Sequence, residues 1–176
     1  MRIMTKETPS KSRAAKWRGY AVSVFLFVII VVGIRLWQHR DMPDGPAPAL
    51  QGVTLASQPY TLPARPEKPV LVHFWATWCP VCRAEQDSIA AIAQDHPNTI
   101  TIAMQSGGSA EITRYMQEQK INFPVVNDTD GILSSTWGIR GVPTSFIIAP
   151  DGQIRFVEVG YTTGLGLRLR LWLAGL

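Results

Sequence analysis

The chain has 176 residues and a formal charge of +4 at neutral pH, long enough for one ordinary domain and a further segment. Residues 1–40 hold eight Lys or Arg and one Glu, whereas residues 41–176 hold nine Lys or Arg and twelve Asp or Glu. The basic balance belongs to the tail, and the slightly acidic remainder excludes a nucleic-acid surface.

In chain order, the first element is apolar. Gly19 to Ile34 runs for sixteen residues without a charge and is dominated by Val, Ile, Leu and Phe. With Trp17, Tyr20 and Trp37 near its ends it reaches the ~20 residues a bilayer core requires, and aromatic side chains suit both interfaces. Arg2, Lys6, Lys11, Arg13, Lys16 and Arg18 precede it, while Arg35 and Arg40 lie at or just past its end. The positive-inside rule puts the N-terminus in the cytoplasm and residue 41 onward outside. A cleaved signal peptide is the rival reading. Ala47-Pro48-Ala49 has the small-x-small form of a cleavage site, but it lies about fifteen residues past the apolar run. The expected organisation is a basic cytoplasmic tail over 1–18, a transmembrane anchor over 19–37, a proline-rich linker over 38–50 and a folded domain over 51–176.

Within that domain, weak alternation from Val53 to Leu62 around Ser57-Gln58-Pro59 predicts a small hairpin. The apolar run Val70-Leu71-Val72-His73-Phe74-Trp75-Ala76 predicts a buried strand, followed by a helix over 80–95 that stops near His96-Pro97-Asn98. The β-branched stretch Thr99–Met104 predicts a strand. Ser109 is the expected N-cap of a helix reaching about Lys120. A short strand over Pro124-Val125-Val126-Asn127 and a short helix between Gly131 and Trp137 follow. Thr144–Ala149 and Gln153–Val159 read as strands joined by the turn Pro150-Asp151-Gly152. The end is ambiguous: Leu165, Leu167, Leu169, Leu171 and Leu173 alternate as in a strand, while Leu165, Leu169, Trp172 and Leu176 share a helical face. The whole order predicts an α/β fold, a mixed central sheet flanked by helices.

Cys79 and Cys82 are the only cysteines, and they stand on the turn between a strand and a helix. Such a C-x-x-C pair is a reactive dithiol, half of a metal site or a structural staple. A staple around two intervening residues constrains the unfolded chain little. Thiolates select Cu(I), and structural zinc wants four ligands, but there is no third cysteine and His39, His73 and His96 are scattered. An oxidising space outside the membrane and the flanking sequence favour the redox pair.

The stretch Phe74-Trp75-Ala76-Thr77-Trp78-Cys79-Pro80-Val81-Cys82-Arg83-Ala84-Glu85 resembles the active-site segment of the thioredoxin superfamily, most nearly that of its membrane-tethered TlpA/ResA/DsbE-like group. Gly141-Val142-Pro143-Thr144 resembles the cis-proline loop of the same fold. The resemblance covers about residues 50–174 and extends to the ScsD-type branch linked to copper tolerance. It implies a thioredoxin-like fold behind an N-terminal transmembrane helix. It also implies a redox-active Cys79–Cys82 disulfide with no other cofactor, and a cis Val142-Pro143 bond facing it.

Individual residues then acquire expected roles. Cys79, at the exposed start of the helix, is where free N–H groups and the helix dipole favour a thiolate, so it is the expected nucleophile. Cys82, one turn in, is the expected buried resolving thiol. Trp78 is expected to shield the sulfur and, with Val142 and Pro143, to hold an extended substrate segment. Glu85 follows Cys82 by three residues on the same helical face. The TlpA-like pattern has a glutamate here that assists proton transfer; a solvated helix glutamate is the alternative. His73 occupies the strand position of thioredoxin's buried aspartate, where it either titrates near neutral pH and handles protons or is a satisfied core histidine.

The implied function is thiol–disulfide exchange in the periplasm by a domain held to the inner membrane by a single span. Its partners would be cysteine-containing envelope proteins and a DsbD-like transmembrane reductase; no nucleic acid and no metal site are expected. One alternative is a copper- or haem-related thiol carrier using the same cysteines. Another is a thiol peroxidase, whose Thr-x-x-Cys pattern is absent. Pro-Val between the cysteines matches neither the Gly-Pro of reducing thioredoxin nor the Pro-His of oxidising DsbA, so the direction of electron flow is not legible here.

Overall fold

The computed structural model describes Trp17, residues 20–30, Gly33 and residues 45–176. The chain divides into two compact units, Met1–Arg40 and Asp41–Leu176. In the first, Trp17, residues 20–30 and Gly33 are helical and their side chains are exposed. The rest of the expected tail and anchor, and the first part of the expected linker, lie outside the described residues. Among the described residues no helix is long and apolar enough to cross a membrane.

The second unit runs β1 (Gly45–Pro46), β2 (Gln51–Val53), β3 (Pro59–Thr61), β4 (Val70–Trp75), α1 (Pro80–Asp95), β5 (Thr99–Met104), α2 (Ser109–Gln119), β6 (Val125–Asp128), α3 (Ile132–Thr136), β7 (Thr144–Ile148), β8 (Gln153–Val159) and α4 (Gly164–Ala174). Six strands form one sheet in the order β1-β8-β7-β4-β5-β6, and β2 and β3 form a separate hairpin. β4 runs parallel to β5 and antiparallel to β7. The sheet is therefore mixed, as the order of elements predicts.

β4 is central, and all six of its residues are buried. A strand covered on both faces reads as a continuous apolar run, and its side chains still alternate. Leu71 and Trp75 join one core with Ile89 and Ile92 of α1, Ile112 of α2, and Leu167 and Leu171 of α4. Val70, Val72 and Phe74 join the other with Ile100, Ile102, Phe146 and Trp137. Phe74, Trp137 and Phe146 pack as an aromatic trio, with ring centroids 5.6, 5.9 and 5.0 Å apart. His73 lies on the α1 side, in phase with Leu71 and Trp75.

One local expectation is corrected and one open choice is decided. Gly108, not Ser109, is the N-cap of α2. Its N–H donates to Glu111 Oε2 at 2.6 Å, so a glutamate reaching back caps the helix and no serine hydroxyl is required. The C-terminal segment is helical, but it buries Leu167, Leu171 and Ala174 and leaves Leu165, Leu169, Trp172 and Leu176 exposed. Both sets fall at helical spacing. Packing on α1 and β7 chose between them.

The Asp-Gly turn between β7 and β8 is held by backbone geometry. Gly152 has φ +81°, and a Cβ there would overlap the Ala64 carbonyl oxygen. Gly152→Ala is expected to cost at least about 2 kcal/mol in chemical denaturation. Gly141→Ala, where an added Cβ meets nothing within 4 Å, should cost under about 1 kcal/mol.

Candidate active site

The packing of α1 on β4 places both cysteines. Ile89 and Ile92 are fully buried, and each such side chain contributes about 1.5–3 kcal/mol. α1 therefore begins just past the end of β4, after a turn in which Cys79 N–H donates to Ala76 O at 3.2 Å. Pro80 takes the first helical turn, where a missing N–H is harmless. Cys79 is the N-cap, and its sulfur accepts the Cys82 N–H at 3.1 Å. A Ser, Asp or Asn oxygen usually fills this place. Here a sulfur does, so the positive end of the helix is aimed at it.

Cys79 and Cys82 are joined as a disulfide with Cα atoms 5.3 Å apart. Each residue is only 3% exposed. The expectation of an exposed Cys79 is corrected for this oxidised form, because the chain of the 141–144 loop covers its sulfur, with Val142 O 3.4 Å away. The Val142-Pro143 peptide is cis. Pro143 is buried, Val142 half-buried. Gly160 N–H donates to Pro143 O at 2.8 Å, tying this loop to the end of β8.

Trp78 is 59% exposed, yet its ring is not loose: Nε1 donates to Gln105 O at 3.2 Å. Next to it, Thr77 N–H donates to Ser106 Oγ at 3.1 Å, and Ser106 Oγ donates to Met104 O at 3.0 Å. The loop after β5 thus braces the cysteine turn. Nothing in the sequence marked Gln105 and Ser106 for this task, since the contact depends on how β4 and β5 align.

Glu85 is not a solvated helix residue; it is 1% exposed. Its Oε2 accepts Thr162 N–H at 3.0 Å, while Oε1 has no hydrogen-bond partner. Burial pushes the carboxyl up from 4.5 to about 7, against the Thr162 N–H, which holds it down. His73 Nε2 lies 3.7 Å from Oε1, beyond hydrogen-bond length. His73 Nδ1 meets Ser145 Oγ at 2.9 Å. Burial lowers this imidazole to about 3, so of the two readings open in the sequence the neutral core histidine holds, and titration near neutral pH does not. Ser145 and Thr162 are the further residues that sequence reasoning missed.

The other buried carboxylate among the described residues, Asp128, differs in kind. It accepts Leu133 N–H at 3.0 Å, Ser134 N–H at 2.8 Å and the Ser134 hydroxyl at 2.6 Å. It is fully used in starting α3. Glu85 retains a free oxygen beside the dithiol helix turn.

The model of the AhpC/TSA family matches residues 43–157. A thioredoxin-like protein of Haemophilus influenzae is 28% identical, with 87% of this chain and 92% of the relative covered. Sporulation thiol-disulfide oxidoreductase A of Bacillus subtilis is 26% identical, covering 80% and 91%. Among solved structures, a thiol:disulfide interchange protein of the thioredoxin family from Chlorobium tepidum superposes with a TM-score of 0.64 at 29% identity, covering 76% of this chain and 98% of that one.

The Glu85 carboxyl makes stability depend on pH in a defined direction. Between 4.5 and about 7 the unfolded chain has lost this proton and the folded chain keeps it. Stability therefore falls as pH rises through that window and levels off above it. Glu85→Gln removes the fall, and the opposing His73 contribution is common to both proteins. Relative to the parent, the variant should gain up to about 3 kcal/mol on going from about pH 4.5 to about pH 8 in urea titrations. A difference that does not vary with pH would show that the carboxyl is not held protonated.

Proposed function

The chain belongs to the AhpC/TSA family, and on that footing we propose that it works as a membrane-tethered thiol–disulfide oxidoreductase of the DsbE/ResA type. The observation that carries the reading is the Cys79 sulfur, which caps α1 and faces the cis Val142-Pro143 loop. A helix N-terminus stabilises a thiolate, and a thiolate is the attacking species in disulfide exchange. In the reduced form Cys79 attacks one sulfur of a partner disulfide and forms a mixed disulfide, and the partner's other sulfur leaves as a thiolate. Cys82 then loses its proton to Glu85 and attacks the Cys79 sulfur. The Cys79–Cys82 bond forms, the mixed disulfide breaks, and the partner leaves reduced by two electrons. Run backward, the same steps oxidise a dithiol.

Trp78 offers a fixed flat surface beside the sulfur, and the Val142 backbone is placed to pair with an extended cysteine-bearing segment. The partners are envelope proteins, with apocytochrome and copper-handling cysteines as chemical candidates, and a DsbD-like membrane reductase as the electron source. Support for a tether, and with it for a periplasmic catalytic domain, comes from the uncharged run Gly19–Ile34 and the six basic residues before it. In the alternative reading, a copper or haem carrier, the two thiolates would have to act almost alone, because no cluster of three or more His, Cys, Asp or Glu is present among the described residues.

Cys82→Ser should accumulate mixed disulfides with partners, resolved on non-reducing gels, while Cys79→Ser should give none. Equal trapping by both variants would remove Cys79 from the attacking role. Intact mass of the native protein should retain Met1 or Arg2, whereas a mature chain starting near residue 50 would rule out the tether.

A further inference from the structure

One turn along α1 from Cys82 begins a row of buried polar groups, Glu85, His73 and Ser145, exposed by only 1%, 2% and 3%. Strand register sets its geometry. His73 and Ser145 stand directly opposite each other on β4 and β7, so both side chains leave the sheet on the face that α1 covers. There His73 Nδ1 meets Ser145 Oγ at 2.9 Å. Nε2 points toward Glu85 Oε1, 3.7 Å away, an oxygen with no hydrogen-bond partner. Glu85 Oε2 is committed as acceptor of the Thr162 N–H. A proton on the carboxyl therefore belongs on Oε1, facing the ring.

The surrounding charges are already neutralised. Glu158 of β8, in register with Ser145, is paired to Arg170 of α4 at 2.6 Å. Arg168 of α4 is paired to Asp95 of α1 at 2.7 Å. From β5, the residue opposite His73 is Thr101, uncharged and bonded to Trp75 Nε1 and Pro124 O. On α1 itself the charged neighbours Arg83 and Asp87 are exposed to solvent, and Cys82 becomes titratable only when its disulfide is reduced.

We propose that His73 and Ser145 form a neutral tautomer switch that sets where the proton of Cys82 rests. The 3.7 Å between Nε2 and Oε1 must close by about 0.5–1 Å to reach hydrogen-bond length, a small rotation of the Glu85 side chain. With Glu85 protonated, Oε1–H then donates to Nε2 and Nδ1–H donates to Ser145 Oγ. With Glu85 ionised, Nε2–H donates to Oε1, and the serine hydroxyl turns to donate to Nδ1. Both states give each ring nitrogen a partner, and neither charges the histidine. Its burial agrees, since the imidazole is held down to about 3 while the carboxyl is pushed up to about 7. The inference rests on the oxidoreductase reading above. In the resolving step one proton passes from Cys82 to Glu85; the ring releases its Nε2 proton to solvent and takes one from solvent on Nδ1, so the ring and the serine each keep their proton count. His73 and Ser145 are thus positioning residues, acting through Glu85.

The test is 15N NMR of histidine-labelled oxidised full chain from about pH 5 to about pH 9, joined to the pH profile of dithiol oxidation by a small disulfide. His73 should remain neutral, and its two ring nitrogens should exchange shift types across one midpoint. Glu85→Gln should fix a single tautomer. Ser145→Ala removes the partner of Nδ1, and an orphaned N–H is worse tolerated than an orphaned acceptor. The Nε2–H form then gains, and both the NMR and the rate midpoints should fall by about one pH unit. Ser145→Thr, which keeps the hydroxyl, should restore them. One tautomer at every pH, or an imidazolium, overturns the switch. So does a parent that switches while Ser145→Ala leaves the oxidation profile unmoved. A parent that switches but exchanges no disulfide overturns the oxidoreductase reading and the catalytic role with it; the tautomer titration needs no turnover, so the two failures are separable.

Discussion

The Cys82 N–H donated to the Cys79 sulfur at the first turn of α1 is the contact from which the chemistry follows. It makes a sulfur do the work of a helix cap. In the reduced form the same bond that starts the helix would stabilise negative charge on that sulfur. Everything around it serves to hold that turn in place. Ile89 and Ile92 dock the helix, Ser106 accepts from the Thr77 N–H, and Gln105 fixes the Trp78 ring. The 141–144 loop closes over the sulfur from the opposite side.

The second constraint is a buried carboxyl that lacks a full set of partners. Asp128 and Glu85 are equally hidden from water, yet they do different things. Asp128 receives three hydrogen bonds at the start of α3, and a carboxylate so furnished is structural. Glu85 receives one. Its burial costs about 3 kcal/mol when ionised, a cost the two buried isoleucines of α1, at about 1.5–3 kcal/mol each, offset. The helix stays docked, and the carboxyl is left able to take or give a proton near neutrality.

Much of this was legible in the sequence. The run Val70–Trp75 reads as a strand because six consecutive mostly apolar residues can only be covered on both faces. Cys79 at a strand-to-helix turn, with Pro80 after it, already implies a helix N-terminus aimed at sulfur. The Asp151-Gly152 turn is written in local backbone preference. The end of the chain was not legible. Its leucines satisfy a strand period and two helical faces at once, and the choice among them was made by α1 and β7 lying alongside.

The sequence by itself determined the elements between Val53 and Val159, the mixed sheet and the dithiol, because each rests on patterns of a few neighbouring residues: hydrophobic period, turn chemistry and the spacing of two cysteines; β1 and the final helix it did not. Only the tertiary structure decided what surrounds that dithiol. Ser145 meets His73 across 72 residues of chain, and Thr162 meets Glu85 across 77. These contacts depend on strand register and on the docking of a loop, and a shift of one residue would turn Ser145 to the opposite face of the sheet. The uncharged state of His73 likewise follows from burial in the assembled fold, which no local pattern around residue 73 encodes.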